Sequence, residues 1–212
     1  QELTLTASDG NSARLWNFDG SQLTVFPYDT PVRTAIFHPE KDRILTISGL
    51  NSVRLWDFDG NQLTLIQYDA LINFAAFHPK QDLLLTRDDG SARLWDFDGN
   101  QLAVFPHDGP GISAIFHPEK DLVLTYSPGN DDKARLWGFR GNQLAVYPRA
   151  VPDTPTLHPE QDLILTIGDD NSASLWDFEG NQLVKLSHDA SVWLADFHPK
   201  QNLILTRSDD NS

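Results

Sequence analysis

Neither cysteine nor methionine occurs in the 212 residues. The lack of cysteine excludes disulfides, thiolate metal centres and cysteine nucleophiles, and leaves the redox compartment open. The sequence opens on Gln1 rather than Met, so a processed chain, a fragment or an engineered product is expected. Long apolar runs are also missing. No stretch suits a bilayer span or the charged and apolar halves of a signal peptide, which leaves the cytoplasm as the expected location. Positive charge is scarce: 16 Lys and Arg stand against 30 Asp and Glu, a net charge of −14. That balance opposes nucleic acid and anionic membranes, and a protein partner with a basic surface fits it better.

Motifs for chemistry are absent as well. No Gly-rich phosphate loop, HExxH or GxSxG occurs, and the acidic clusters lack the alternate oxygens and terminal Glu of an EF-hand loop. No catalytic residue, cofactor or metal is therefore expected. What the chain does contain is ordinary for a folded domain: 40% apolar and 10% aromatic residues, with 13 Gly and 13 Pro scattered along it.

One phrase is repeated. "VRLWDFDGNQL" (Val53 to Leu63) recurs in near copies at Ala13, Ala92, Ala134 and Ala173. The tryptophans of the five copies, Trp16, Trp56, Trp95, Trp137 and Trp176, are spaced by 40, 39, 42 and 39 residues. A second marker keeps step, the His-Pro pairs at His38, His78, His117, His158 and His198, spaced by 40, 39, 41 and 40. Two markers with one period define a tandem repeat of about 40 residues, a length suited to propeller blades or helical arrays.

Local pattern decides between them. Each period holds four short runs, such as "RTAIF", "RILTIS", "VRLWDF" and "QLTLIQ", rich in β-branched and aromatic residues and bounded by Pro, Gly, Asn or Asp. Four meandering strands per repeat make the blade of a β-propeller. In the repeated phrase, Val53 to Phe58 is the third strand, Asp59 and Gly60 supply the positive-φ positions of a hairpin, and Gln62 opens the fourth strand. The tryptophan is expected to face the next sheet, where burying an indole is worth at most about 4–6 kcal/mol.

The order "HD…FHP…LT…DD(G/N)S…RLWD" resembles the WD40 repeat over the whole chain. The resemblance implies an all-β fold, a β-propeller of four-stranded antiparallel blades with about five blades' worth of chain, or part of a larger ring. It also implies a hydrogen-bonded network of His, Ser or Thr, Asp and Trp within a blade. His107, Thr125, Asp131 and Trp137 match all four members. Thr166, Asp170 and Trp176 match three, as do Thr86, Asp89 and Trp95, and His188, Thr206 and Asp210 match the last repeat. Tyr28 and Tyr68 stand where the family has His, and Gly10 and Leu50 where it has Asp. One complete network is therefore expected, around His107. The phrase "LWDFDGNQL" is similar to recently amplified WD40 repeats of bacteria, cyanobacteria especially, which implies the sensing part of a signalling or defence protein.

The repeats divide the chain into a partial blade over 1–28, full repeats over 29–68, 69–107, 108–148 and 149–188, and a partial blade over 189–212. Four complete repeats with incomplete ends lead us to expect more chain or more copies, closing between molecules. The His-Pro pairs read as turns between the first and second strands, too far apart to share an ion. The Asp clusters read as turns in which one carboxylate bonds backbone and network while the other is solvated. What varies between repeats is the turn before each first strand: "YDTPVR", "YDALIN", "HDGPGI", "RAVPDT" and "HDASVW". In the family these turns share one face with the Asp-rich turns, so the candidate binding face holds Tyr28, Arg33, Tyr68, Arg87, Arg149, Trp193 and Arg207. Trp193 suits either that face or the core.

Overall fold

A computed structural model describes residues 3–8, 10–88, 90–107, 113–127, 133–148 and 155–210. The described elements are all strands, in six sheets whose order follows the chain. The first sheet has three strands, β1 (Leu3–Ser8), β2 (Ser12–Asn17) and β3 (Gln22–Pro27). The second has four, β4 (Val32–Phe37), β5 (Arg43–Ser48), β6 (Ser52–Asp57) and β7 (Gln62–Gln67). The third comprises β8 (Phe74–Phe77), β9 (Leu83–Arg87), β10 (Ser91–Asp96) and β11 (Gln101–Pro106), and the fourth β12 (Ser113–Phe116), β13 (Leu122–Tyr126), β14 (Ala134–Gly138) and β15 (Gln143–Tyr147). The fifth holds β16 (Thr156–Leu157), β17 (Leu163–Gly168), β18 (Ser172–Asp177) and β19 (Gln182–Ser187). A two-stranded sixth pairs β20 (Val192–Phe197) with β21 (Ile204–Ser208). The expected all-β architecture of four-stranded antiparallel meanders is thus the observed one. Two compact units share the chain, residues 1–89 with 93–102, and residues 90–92 with 103–212.

Burial follows position within a sheet. The second strand β5 is buried along nearly its whole length, because both of its faces meet neighbouring sheets, and its near-continuous apolar run reflects that. The fourth strand β7 alternates instead, with Thr64 and Ile66 inward and Leu63 and Leu65 each 44% exposed. In the first unit, Ala13, Leu15, Phe26, Val32, Ile44 and Trp56 form one cluster between the first two sheets. Leu45, Val53, Ile66, Tyr68, Leu84 and Trp95 belong to a second. In the second unit, Leu136, Tyr147, Ile164 and Trp176 pack together.

The hairpin within the repeated phrase uses one left-handed residue. Gly60 has φ +92° while Asp59 lies outside the positive-φ region, which corrects the two-residue expectation. Asp57 N–H donates to Asn61 O (3.1 Å) and Gly60 N–H to Asp57 O (3.3 Å), a tight turn closed by a left-handed glycine. Asp57 then clamps the turn, Oδ1 accepting from Asn61 N and Oδ2 from Asn61 Nδ2, both at 2.8 Å. Asp96 with Asn100 and Asp177 with Asn181 repeat the clamp. A register shift falls between Leu55 and Trp56, and this bulge re-aims the indole.

At the opposite end of the strands, His38 Nδ1 accepts two backbone N–H bonds, from Glu40 (3.0 Å) and Lys41 (3.1 Å). His78, His117 and His158 do the same. The His38 ring packs edge-on against Phe77 of the next sheet at 4.8 Å. These imidazoles fix turns and pack sheets.

Candidate interaction surface

The turns that vary in sequence lie beside a hydrogen-bonded cluster anchored by tryptophan. In the second sheet Trp56 Nε1 donates to Thr46 Oγ1 (3.0 Å), and the Tyr28 hydroxyl bonds the same oxygen. The Tyr28 ring meets Trp56 edge-on at 5.5 Å. In the third sheet Trp95 Nε1 reaches both Thr86 Oγ1 and Tyr68 Oη at 2.8 Å, and Tyr68 Oη bonds Thr86. Tyrosine thus takes the place at which the resemblance puts histidine: a phenol contributed from before a sheet's first strand meets the threonine of the second and the tryptophan of the third.

Tyr68 is 3% exposed, which removes it from the binding face, and Tyr28 is half-buried. The physical reason is that only a buried hydroxyl can reach threonine and indole together. Burial pushes both phenols up to about 12, with the bonds to Thr46 and Thr86 pulling the other way.

The second unit builds the cluster with histidine. His107 Nε2 lies 2.5 Å from Thr125 Oγ1, and Trp137 Nε1 donates to that oxygen at 2.7 Å. Asp131, the carboxylate assigned to this network, lies outside the described residues. His188 places Nε2 3.0 Å from Thr206 Oγ1 and Nδ1 3.1 Å from Asp210 Oδ2. Thr166 accepts from Trp176 at 2.8 Å, but Asp170 does not join them. Asp170 is exposed and bonds Ser172 and Lys185 instead. The Lys185 and Ser172 bonds hold its carboxyl below the usual range.

The third sheet holds a buried carboxylate. Asp89 lies outside the described residues, and the buried acid is Asp88, 5% exposed, with Oδ2 3.1 Å from Arg93 Nη2. Arg93 stacks on Tyr68 with Cζ 4.9 Å from the ring centroid, and Arg54 stacks on Tyr28 at 4.8 Å. Arg135 Nη1 lies 2.9 Å from His107 Nδ1. Sequence reasoning missed these arginines, although the signal was present in the "RLW" of four of the five phrases. Where Ser174 replaces the arginine, a cavity of about 160 Å³ opens beside Trp176 and Lys185.

The remaining face residues are placed differently from one another. Arg33 and Trp193 occupy equivalent bulges, marked by register shifts between Val32 and Thr34 and between Val192 and Leu194. Arg33 is exposed, and its Nη1 donates to Ile72 O at 3.3 Å. Trp193 is half-buried under exposed Arg207, whose Cζ lies 3.7 Å from the ring centroid. Arg87 is half-buried, donating to Asn73 Oδ1 at 2.9 Å and stacking on Phe74. Arg149 lies outside the described residues. Among the described residues no group of three or more His, Asp or Glu is arranged to hold a metal ion, and no helix is long and apolar enough to cross a membrane.

Comparison with known proteins sets this geometry in context. Residues 61–96, which run from β7 to the end of β10, match the family model for the WD domain, G-beta repeat. Comparison with curated proteins finds no match. Among solved structures, the computationally designed Ika8 protein superposes with a TM-score of 0.70 at 15% identity. The whole of this chain is covered, against 67% of that one. At that identity the likeness concerns the fold.

Proposed function

We propose that this chain is a non-enzymatic interaction scaffold of WD40 type, the recognition part of a larger bacterial signalling or defence protein, and that its partner is a protein with a basic surface. The observation that carries this is the contrast between repeated clusters and varied turns. Threonine and tryptophan recur in each anchored sheet, whereas the adjoining turns change from "YDTPVR" to "YDALIN" to "HDASVW", as a surface selected for recognition does. The match of residues 61–96 to a repeat family of interaction scaffolds supports the same reading. Exposed Asp69 and Asp189 stand at one position of different turns, and the net charge of −14 favours cationic partners.

A lysine-rich peptide tests it by calorimetry, with a glutamate-rich peptide as control. Affinity for the lysine-rich peptide should fall with added salt and weaken in Asp69→Lys and Asp189→Lys. Equal affinity for both peptides, or indifference to salt, overturns the basic-partner reading.

Two incomplete sheets favour a second reading, a self-assembling repeat module. Among the described residues, sheet β1–β3 has three strands and sheet β20–β21 two. Trp16 donates to Thr6 at 2.9 Å yet is only half-buried, unlike Trp56 at 5% exposure. His188 in turn bonds both Thr206 and Asp210. Closure between copies would bring Trp16 of one chain to Thr206 of another, and would cover unpaired strand edges.

A further inference from the structure

The second and third sheets share a cluster but differ in one charge. Arg54 and Arg93 are equivalent, each two residues before its tryptophan and each stacked on a tyrosine at nearly the same distance. Arg93 is neutralised from within by the buried Asp88. The residue equivalent to Asp88 is Ser48, and Arg54 Nη1 donates to its hydroxyl at 2.5 Å. Among the described residues no carboxylate lies within ion-pair distance of Arg54.

A cavity of about 590 Å³ lies over this position, lined by Ser48 and Arg54 at the cluster and by Asp29, Leu50, Asp69 and Leu71 among others. That volume suits a small ligand or a few peptide residues. Its walls are braced, since Gly49 N–H donates to Pro31 O (3.0 Å) and Ile72 N–H to Leu50 O (2.9 Å). Leu50 is 68% exposed and Leu71 37%, so the walls offer apolar contact as well as charge.

We infer that this cavity binds a peptide carboxylate on Arg54, in the role that Asp88 plays for Arg93, with a flanking basic side chain set between Asp29 and Asp69. A guanidinium already oriented by a ring and a hydroxyl keeps donors for a carboxylate, and it loses little freedom on binding. Two aspartates in the lining disfavour a bare anion, which selects an acid with a basic neighbour. Leu50 and Leu71 take the aliphatic stems. The inference deepens the scaffold reading and rests on it for the partner being a protein. The carboxylate has two possible sources, a glutamate or aspartate side chain and a free C-terminus.

Calorimetry on the full chain tests it with three probes: the blocked peptide acetyl-Gly-Lys-Glu-Lys-Gly-amide, its glutamine counterpart, and acetyl-Gly-Lys-Gly with a free C-terminus. The glutamate peptide or the free C-terminus should bind saturably, whichever binds naming the source, and the glutamine peptide should bind at least about tenfold more weakly. Ser48→Asp supplies the internal acid of the third sheet, so it should keep the thermal midpoint and abolish binding. Should Ser48→Asp fail to fold, Arg54→Gln and the exposed Leu50→Asp carry the same expectation. Equal binding of glutamate and glutamine peptides, no binding of any probe, or undiminished binding in folded Ser48→Asp overturns the inference. Salt-dependent binding of the lysine-rich peptide that Ser48→Asp leaves unchanged defeats this pocket alone. A carboxylate-dependent signal without that salt dependence defeats the basic-partner reading alone.

Discussion

Thr86 Oγ1 accepts from Trp95 Nε1 and bonds the Tyr68 hydroxyl, in a site with no exposure of its own. Thr86→Val keeps the shape and orphans buried polar groups, so it should cost about 1–3 kcal/mol in urea unfolding followed by tryptophan fluorescence, while Thr86→Ser should cost less. The phenols themselves report burial. Folded pKa values raised to about 12 for Tyr28 and Tyr68 mean that the neutral form is favoured. The stability they lend is complete below the ordinary value near 10 and lost as pH rises towards 12. Absorbance titration should show these two tyrosines ionising later than a denatured control. For histidine the sign is opposite. Burial, with Lys41 or Lys120 nearby, pushes His38 and His117 below 6.5, and protonating Nδ1 would break two backbone bonds. The unfolded chain then binds more protons, so stability is full above about pH 6.5 and falls as pH drops below it. The drop in thermal midpoint between neutral and mildly acidic buffer should shrink in His38→Asn with His117→Asn.

Turns that read alike in sequence carry different loads. Gly20 and Gly60 both have positive φ, +86° and +92°. A Cβ on Gly20 meets nothing within 4 Å, but on Gly60 it would lie 2.9 Å from Thr24 Cγ2 of the preceding sheet. Both alanine variants should lose roughly 1 kcal/mol for the backbone, and Gly60→Ala should lose more through this contact, measured as the difference in urea midpoint. Thr24 Oγ1 also donates to Phe58 O at 2.7 Å, tying outer strand β3 to the next sheet's hairpin. Lys41 and Asp82 join the second and third sheets more weakly. Both are well exposed, at 41% and 59%, and Lys41→Ala should change stability by less than about 1 kcal/mol.

Across the chain, the two readings of function separate on mass. Native mass spectrometry over a range of concentration should give one species of 23.8 kDa if the chain acts as a scaffold without self-closure. Multimers that disperse in Trp16→Ala and Thr206→Val would make closure between copies the leading function. The sheets were legible from a 40-residue period, because strand alternation and turn chemistry are local properties. The cluster was legible in part. The resemblance assigned Thr86 and Trp95, but Tyr68 looked exposed because its sequence neighbours, Gln67 and Asp69, are polar. The pairing of Asp88 with Arg93 was not legible, because residue type alone does not say which carboxylate of an acidic turn meets the arginine.

Period, strand number, hairpin position and the lack of thiol chemistry are thus properties of the residue order, since each arises within about 40 residues. The burial of Tyr68 arises between sheets, while the exposure of Asp170 and the uncompensated charge of Arg54 arise from how side chains meet within one. Tyr68 reaches Trp95 across 27 residues and Thr24 reaches Phe58 across 34. Such contacts depend on how one twisted sheet lies on the next, and near-identical repeats differ within a sheet because a single side chain, Ser48 or Asp88, decides whether an arginine is neutralised or left open to a ligand.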